Sequence, residues 1–357
     1  MRRLNEEHGG IVLLFGVLLA FLFVAAALVA NVGRAFFERR ELQNGADAAA
    51  LAIAFDCARA VANPSLVARC SAAAAAANAS GLPNANAKDG TSTISQVLPA
   101  TLNPASGSVT VNTVSRRPDG DPSVQLALTR SDNADMNEIT VKASASARWG
   151  PASAASGFPL LLQQCNFMAF GGAARLPAVG PFPPDDAAPA IIINRAQPPC
   201  PEPAHPPGSH GWLTPDVPGG CDIFLAVGAT PTSTGNTVSC VITHRIDTGA
   251  PIGSGAGEQA AELARRLYHK VVFIPIGTPN GSGSGGSYTV TGWGAIYITG
   301  YNFGGQYVLN AGTPNCLATS SAGSARCIRG YFVNAEPQSG AVGSGASFGA
   351  QVVQLAK

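Results

Sequence analysis

The longest apolar stretch of the chain lies close to its start. Residues 11–30, IVLLFGVLLAFLFVAAALVA, contain no charged or polar side chain. A helix of twenty residues rises about 30 Å, which is the hydrocarbon thickness of a bilayer. No second stretch of the sequence approaches this length. The pattern therefore predicts one transmembrane helix, with the remainder of the chain after it on one side of the membrane.

Helical periodicity continues beyond this stretch. Apolar residues recur on one helical face at Leu42, Ala46, Ala49 and Ile53. Good helix formers surround them, so we expect the transmembrane helix to continue as a stem. Asn63-Pro64 ends this helix, and residues 65–79 predict a second, alanine-rich helix that folds back on the first.

From about residue 91 the pattern changes to alternation of apolar and polar residues, which is typical of β-hairpins. Strand-like segments lie at residues 108–114, 123–129, 138–149, 271–276, 288–301, 327–333 and 351–355. A short helix is predicted over residues 258–270. Residues 171–220 are rich in proline and predict an extended loop, and the Gly/Ser run at 281–287 predicts a flexible one. We therefore expect the core of the outer region to be built from sheet.

Cysteine usage indicates the compartment. All eight cysteines follow the apolar stretch, without metal-like spacing near histidines: Cys57, Cys70, Cys165, Cys200, Cys221, Cys240, Cys316 and Cys327. Disulfides persist outside the cytoplasm, so we expect the N-terminus inside and residues after about 31 outside. Pairing by proximity gives Cys57–Cys70, Cys165–Cys200, Cys221–Cys240 and Cys316–Cys327, one of about a hundred possible arrangements.

The predicted fold class is α+β: one N-terminal transmembrane helix continues into a helical stem, followed by a mainly β, loop-rich, disulfide-stapled extracytoplasmic region. The expected segments are a cytoplasmic leader (1–10), the transmembrane helix (11–30), the stem (31–80), a β-hairpin region (81–150), a proline-rich loop region (151–220) and a β-rich C-terminal region (221–357).

The charges flanking the span are nearly balanced and do not decide its orientation. A cleaved signal peptide is an alternative for this segment, with Ala25-Ala26-Ala27 as the cut site, although such apolar regions are usually shorter. Pilin-like processing after Gly9-Gly10 is a third alternative, but Phe15 stands where prepilins carry a glutamate. We expect the helix to be retained.

Composition excludes one class of partner. Charged residues make up 12% of the chain and the net charge is +1, whereas ordinary domains carry about 25% charged residues. Nucleic-acid binding needs a basic surface, so this balance argues against a nucleic-acid partner. The 41 glycines and 27 prolines favour loops and short strands in the outer region.

No catalytic constellation stands out in the sequence. The histidines are scattered, at His8, His205, His210, His244 and His269. The acids of the outer region form no recognisable set: Asp216, Asp222, Asp247, Glu258, Glu262 and Glu336. No G-x-S-x-G, H-E-x-x-H or phosphate-loop motif occurs, and residues 119–123 predict a tight turn rather than a cation loop. The sequence therefore predicts no enzyme activity, no metal site and no cofactor.

A run of motifs at the N-terminus forms a familiar pattern. Residues 6–10 (EEHGG), the apolar span, Val32-Gly33-Arg34, the Arg39-Arg40 pair and LQNGADAAALA at 42–52 follow one another in this order. This arrangement resembles the N-terminal module of Tad (tight adherence) pilus-assembly proteins of the TadE/TadG type. Asn31 departs from the family, which usually has an aspartate there. Segments near Trp212, Cys221 to Cys240, Trp293 and Arg329 resemble outer-domain features of TadG-related bacterial proteins.

The resemblance implies a non-enzymatic component of Flp pilus assembly or the Tad secretion system, anchored in the bacterial cell membrane as a structural or anchoring subunit. The stem residues that match the family motif are Gly33, Arg34, Leu42, Gln43 and Asp47. Asp47 either pairs with Gln43 as a solvated helix residue or takes part in a helix–helix contact. The implied partners are pilus-assembly or pilin-like helical subunits, and we expect the small-residue face at Ala46 and Ala49 to contact them.

Two other functions stay open. A cell-surface adhesin would use Trp212, Trp293 and Tyr301 to contact a glycan, although the strand pattern favours core packing for Trp293. A cell-wall hydrolase would need converging carboxylates or a His–acid pair in a cleft of the outer region.

Overall fold

The computed structural model describes residues 8–88, 90–99, 101–126, 138–172, 175–178, 180–192, 211–216, 220–235, 238–280, 286–310, 326–337, 339–343 and 345–356. A single helix, α1 (His8–Ala60), contains 53 residues and is therefore about 80 Å long. Its first part is exposed, and from Leu42 onwards one face is buried against the rest of the protein. The prediction that the transmembrane helix continues as a stem is confirmed.

Within the described residues, α1 alone is long and apolar enough to cross a membrane. Its most apolar window has a mean hydropathy of 3.1 and contains no buried residue. An apolar surface of this size is stable when lipid covers it.

Three short helices pack beside the C-terminal half of α1: α2 (Pro64–Val67), α3 (Ala72–Ala79) and α4 (Gly81–Asn86). The single helix expected over residues 65–79 is therefore wrong in detail. The chain breaks at 68–71 because Ser71 starts a new helix, where its side chain accepts a hydrogen bond from the Ala74 amide at 3.3 Å. Two further α-helices, α5 (Gln164–Phe167) and α6 (Ala256–Leu267), lie in the outer region. A π-helical turn follows α5 at Met168–Gly172, and Asp185–Ala187 form a single 3-10 turn.

The described strands, in chain order, are β1 (Ser92–Leu98), β2 (Gly107–Ser115), β3 (Val124–Gln125), β4 (Glu138–Ile139), β5 (Lys142–Gly157), β6 (Leu160–Gln163), β7 (Leu176–Pro177), β8 (Ala190–Ile192), β9 (Gly211–Leu213), β10 (Ile223–Ala226), β11 (Ser233–Gly235), β12 (Val271–Pro279), β13 (Tyr288–Asn302), β14 (Val308–Leu309), β15 (Cys327–Asn334), β16 (Gly340–Val342), β17 (Ala346–Phe348) and β18 (Gln351–Ala356). With α1, this distribution confirms the predicted α+β class.

The long strand β5 organises the first sheet. It pairs antiparallel with β2 and β18 over its first part, and with β10 and β16 over its last residues. β1 extends this sheet beyond β2. The second sheet follows the order β11-β9-β6-β12-β13-β15-β7; in addition, β14 and β17 pair with β13, and β8 pairs with β15. Helix α6 leads directly into β12, as the pattern over residues 258–276 predicts.

Several strands differ from their predictions. Residues 138–149 form two strands instead of one, because β4 pairs with β3 while β5 pairs with β2. Of residues 123–129, Val124 and Gln125 are strand, and 127–129 lie outside the described residues. The expected loop at 171–220 contains the short strands β7, β8 and β9, and the Gly/Ser residues 281–285 lie outside the described residues.

Two of the expected disulfides are present. Cys57 is bonded to Cys70, with a Cα–Cα distance of 4.7 Å, and Cys221 is bonded to Cys240. Cys165 and Cys327 are also disulfide-bonded, while their expected partners, Cys200 and Cys316, lie outside the described residues.

Candidate functional site

The junction between the exposed apolar segment and the folded domain lies on α1. Leu28 and Val29 are 64% and 72% exposed, whereas Leu42 is 1% exposed. Leu42 packs with Val124 and Val141, and its carbonyl accepts a hydrogen bond from the Thr113 hydroxyl at 3.1 Å. The helix therefore passes from a surface suited to lipid to a surface covered by its own sheet within about four turns.

The motif residues of the stem fall into two groups. Gly33 and Arg34 are exposed on α1. Gln43 donates hydrogen bonds to the Asp47 carboxylate at 2.9 Å and to the Ser144 carbonyl at 3.0 Å. The pairing of Asp47 with Gln43 is thus present, and it fastens α1 to β5. What these residues contribute to function stays a prediction.

The small-residue face of α1 is covered by the protein's own sheet. Ala46 and Ala49 are fully buried in a cluster with Val109, Val111 and Trp149. The expectation that these two alanines contact another helical subunit is therefore wrong, because their surface is already occupied. Small side chains allow the helix to approach the sheet closely, which is the same physical advantage they offer between helices.

Two adjacent grooves lie where α1 meets the first sheet. The upper groove has a volume of about 800 Å³, and the lower groove, nearer the apolar segment, about 330 Å³. Arg39, Thr140 and Lys142 line both grooves. Val32 and Phe36 line the lower groove but not the upper one, and their side chains are 45% and 68% exposed. Polar and cationic side chains thus stand directly beside an apolar helix surface.

The aromatic residues expected to contact a glycan are in the core. Trp212, Trp293 and Tyr301 are 2%, 1% and 1% exposed. The Trp293 indole donates to the Leu225 carbonyl at 3.2 Å, and burial raises the pKa of Tyr301 to about 12. The adhesin alternative required these rings to be exposed to a glycan, and their burial contradicts that placement. Core packing of Trp293 is confirmed. The strand pattern already indicated this for Trp293, while Trp212 lies in a segment whose proline content concealed a strand.

A polar cluster centred on Asp185 was missed from the sequence. Its carboxylate contacts His269 Nε2 at 2.9 Å and accepts hydrogen bonds from the Tyr268 hydroxyl at 3.0 Å and from Asn310 at 3.2 Å. The buried guanidinium of Arg329 donates to the Asp185 carbonyl at 3.0 Å. Burial, followed by the Asp185 hydrogen bond, raises the pKa of Tyr268. Asp185 lies more than 80 positions before its partners, and no sequence pattern connects residues so distant. The adjacent Tyr268-His269 pair is the one feature that the sequence shows directly.

This cluster includes a His–acid pair, one of the features named above for a hydrolase. In the described part of the chain, no serine, threonine or cysteine side chain hydrogen-bonds to His269. The contacts of Asp185 instead connect the turn at 185–187 to the end of α6 and to β15. These hydrogen bonds hold three segments of the fold together, so we assign the cluster a structural role.

Two further acids of the outer region hold loops. Glu262 is fully buried, accepts a hydrogen bond from the Ile246 amide at 2.7 Å and pairs with Arg265 at 3.0 Å. Glu258 accepts from the Gly253 amide at 2.8 Å. No group of three His, Cys, Asp or Glu side chains among the described residues is arranged to hold a metal ion. His205 and His210 lie outside the described residues. The tight turn expected at residues 119–123 lies two positions earlier, at 117–121, where the Gly120 amide donates to the Arg117 carbonyl at 2.8 Å.

Comparison with known families bears on the α1 junction. Residues 9–54 match the family model Tad, described as "Putative Flp pilus-assembly TadE/G-like". The N-terminal helix is therefore similar to this family over these residues, which we call the Tad segment. This Tad segment, residues 9–54, includes both the exposed apolar part of α1 and the buried stem up to Ala54, and it supports involvement in Flp pilus assembly. No curated protein and no solved structure matches the chain.

Proposed function

We propose that this protein is a non-enzymatic, membrane-anchored structural component of Flp pilus assembly that holds a folded, disulfide-bonded domain on the extracytoplasmic side of the bacterial cell membrane. One observation carries the proposal: the Tad segment coincides with a continuous helix that is lipid-suited in its first half and packed into its own sheet in its second.

Continuity gives the anchor a mechanical role. No loop separates the apolar segment from the stem, so a force on the folded domain reaches the membrane through helix hydrogen bonds. The Cys57–Cys70 bond closes the far end of the stem, and the alanine-rich face fixes its position on β2 and β5. A rigid helix between the membrane and the folded domain suits a subunit that lies at the base of a fibre or within the fibre.

Topology and anchoring can be tested on the full chain. Alkaline phosphatase fused after Lys357 is expected to be active, because it folds only outside the cytoplasm, whereas green fluorescent protein at the same position is expected to be dark. The protein is expected to remain in membranes after carbonate extraction, with an intact mass that includes residues 11–30. An inactive phosphatase fusion would show that the C-terminus lies in the cytoplasm. A shortened protein that carbonate extracts would favour a cleaved signal peptide.

The role in assembly needs a separate test in the native host. A strain that lacks the gene is expected to show no Flp fibres on its surface, and the wild-type gene is expected to restore them. Normal fibres in the deletion strain would contradict the proposed function even if anchoring is correct.

A further inference from the structure

We propose that the paired grooves between α1 and residues 140–142 bind an anionic phospholipid of the membrane that α1 crosses, with Arg39 and Lys142 holding the phosphate. The inference rests on the anchoring part of the proposed function and adds a ligand site that anchoring alone does not require.

The charge of the grooves favours a phosphate. Arg39 and Lys142 are exposed and line both grooves. Within the described residues neither forms an ion pair, and no acidic side chain lines either groove. Arginine presents a donor fork that matches phosphate oxygens, and lysine adds a point charge. Asn112 and Thr140 add neutral polar side chains along the upper groove, where a polar headgroup would lie.

The height of Arg39 above the bilayer fits a headgroup. Arg39 follows Ala30 by nine residues, which places its backbone about 13 Å beyond the end of the apolar segment. Helical side chains tilt towards the N-terminus, which here is the membrane side. A long guanidinium side chain therefore reaches back towards the headgroup layer, which extends about 5–8 Å beyond the hydrocarbon.

The lower groove offers a path for an acyl chain. Val32, Ala35 and Phe36 line it, and the exposed apolar surface of α1 continues from there into the membrane. A phospholipid would thus place its charge between Arg39 and Lys142 and its chains along the helix. A free anion would contact Arg39 and Lys142 but not the apolar lining of the lower groove. The combined surface therefore fits a phospholipid better than a free anion.

The test uses the full-length protein purified in a neutral detergent and native mass spectrometry with equimolar phosphatidylglycerol and phosphatidylcholine of identical chains. The wild type is expected to retain phosphatidylglycerol in preference. The double variant R39Q/K142Q is expected to lose about tenfold in phosphatidylglycerol retention because two charged contacts are removed. The matched control R40Q/R69Q removes the same charge from exposed positions outside the grooves and is expected to behave as wild type.

Several outcomes would overturn the site. Equal retention of both lipids, equal retention by wild type and R39Q/K142Q, or an equal loss in R40Q/R69Q would each contradict a specific groove. Displacement of the lipid by inorganic phosphate at equal concentration would show an anion site without a lipid. Because the substituted side chains are exposed, all variants are expected to keep the thermal midpoint of the wild type. Failure of membrane anchoring is detected separately, by carbonate extraction.

Discussion

Gly45 shows how one residue sets the packing of the stem. It lies inside α1, where glycine costs about 1 kcal/mol relative to alanine. A Cβ at this position would lie 2.8 Å from the Pro83 Cα of helix α4, which is closer than real Cβ contacts allow. The glycine therefore permits α4 to approach α1, and this gain offsets its poor helix propensity.

This contact predicts opposite effects for two glycines of the same helix. Gly45→Ala is expected to lower the free energy of unfolding by about 1–3 kcal/mol, because the backbone of α4 must move. Gly33→Ala is the matched control: a Cβ there meets nothing within 4 Å, and we expect no change or a gain of up to about 1 kcal/mol. Thermal unfolding in detergent measures both. A stabilising Gly45→Ala would contradict the close approach.

Contacts between residues that are distant in sequence could not be predicted. The helical spacing of Leu42, Ala46 and Ala49 showed that they share a face, and that face is buried. The pattern could not show what buries it, since β2 and β5 begin only at Gly107 and Lys142. The contact between Asp185 and His269 could not be predicted for the same reason. It depends on how the fold places α6 next to the turn at 185–187.

At the scale of elements, the corner between α1 and α2 depends on a covalent link. The Cys57–Cys70 bond spans 13 positions and joins the last turns of α1 to the segment before α3. Both cysteines are buried in the alanine-rich core, so the bond fixes the corner from inside. The proximity of these cysteines and the break at Asn63-Pro64 made both the pair and the corner predictable.

Removal of this bond is expected to loosen the corner locally. For a closed loop of this size, the variant C57A/C70A should lose about 3 kcal/mol of stability. Hydrogen exchange of the amides at residues 61–71 should accelerate. The matched control C221A/C240A removes the other disulfide and should leave exchange at 61–71 unchanged. Unchanged exchange in C57A/C70A would show that packing alone holds the corner.

The element boundaries also show which patterns are reliable. Long strands with clear alternation, such as β2 and β13, were predicted within one or two residues of their observed ends. Short strands such as β7, β8 and β9 were missed because two or three residues carry no period. The division of 138–149 was missed because it depends on which partner each half pairs with.

For the whole molecule, the structure divides α1 into a surface that the protein covers and a surface that it leaves open. Residues from Leu42 to Ala60 carry the buried face, whereas the large apolar side chains before it are exposed, from Ile11 to Phe37. The first part of the helix therefore offers a helical partner subunit its largest uncovered apolar surface. We expect assembly through α1 to use this surface.

This division predicts where a partner can be captured. The photoreactive amino acid p-benzoyl-phenylalanine, introduced singly at each of residues 21–28, is expected to give adducts to another subunit when membranes are illuminated. Their yields should recur every three to four residues, because only one face of a helix meets its neighbour. The same amino acid at Asn44 and Arg59, which are exposed positions of the stem, serves as a control and should give no adduct. No adduct along residues 21–28, or adducts from Asn44 and Arg59 alone, would contradict assembly through the exposed apolar part of α1.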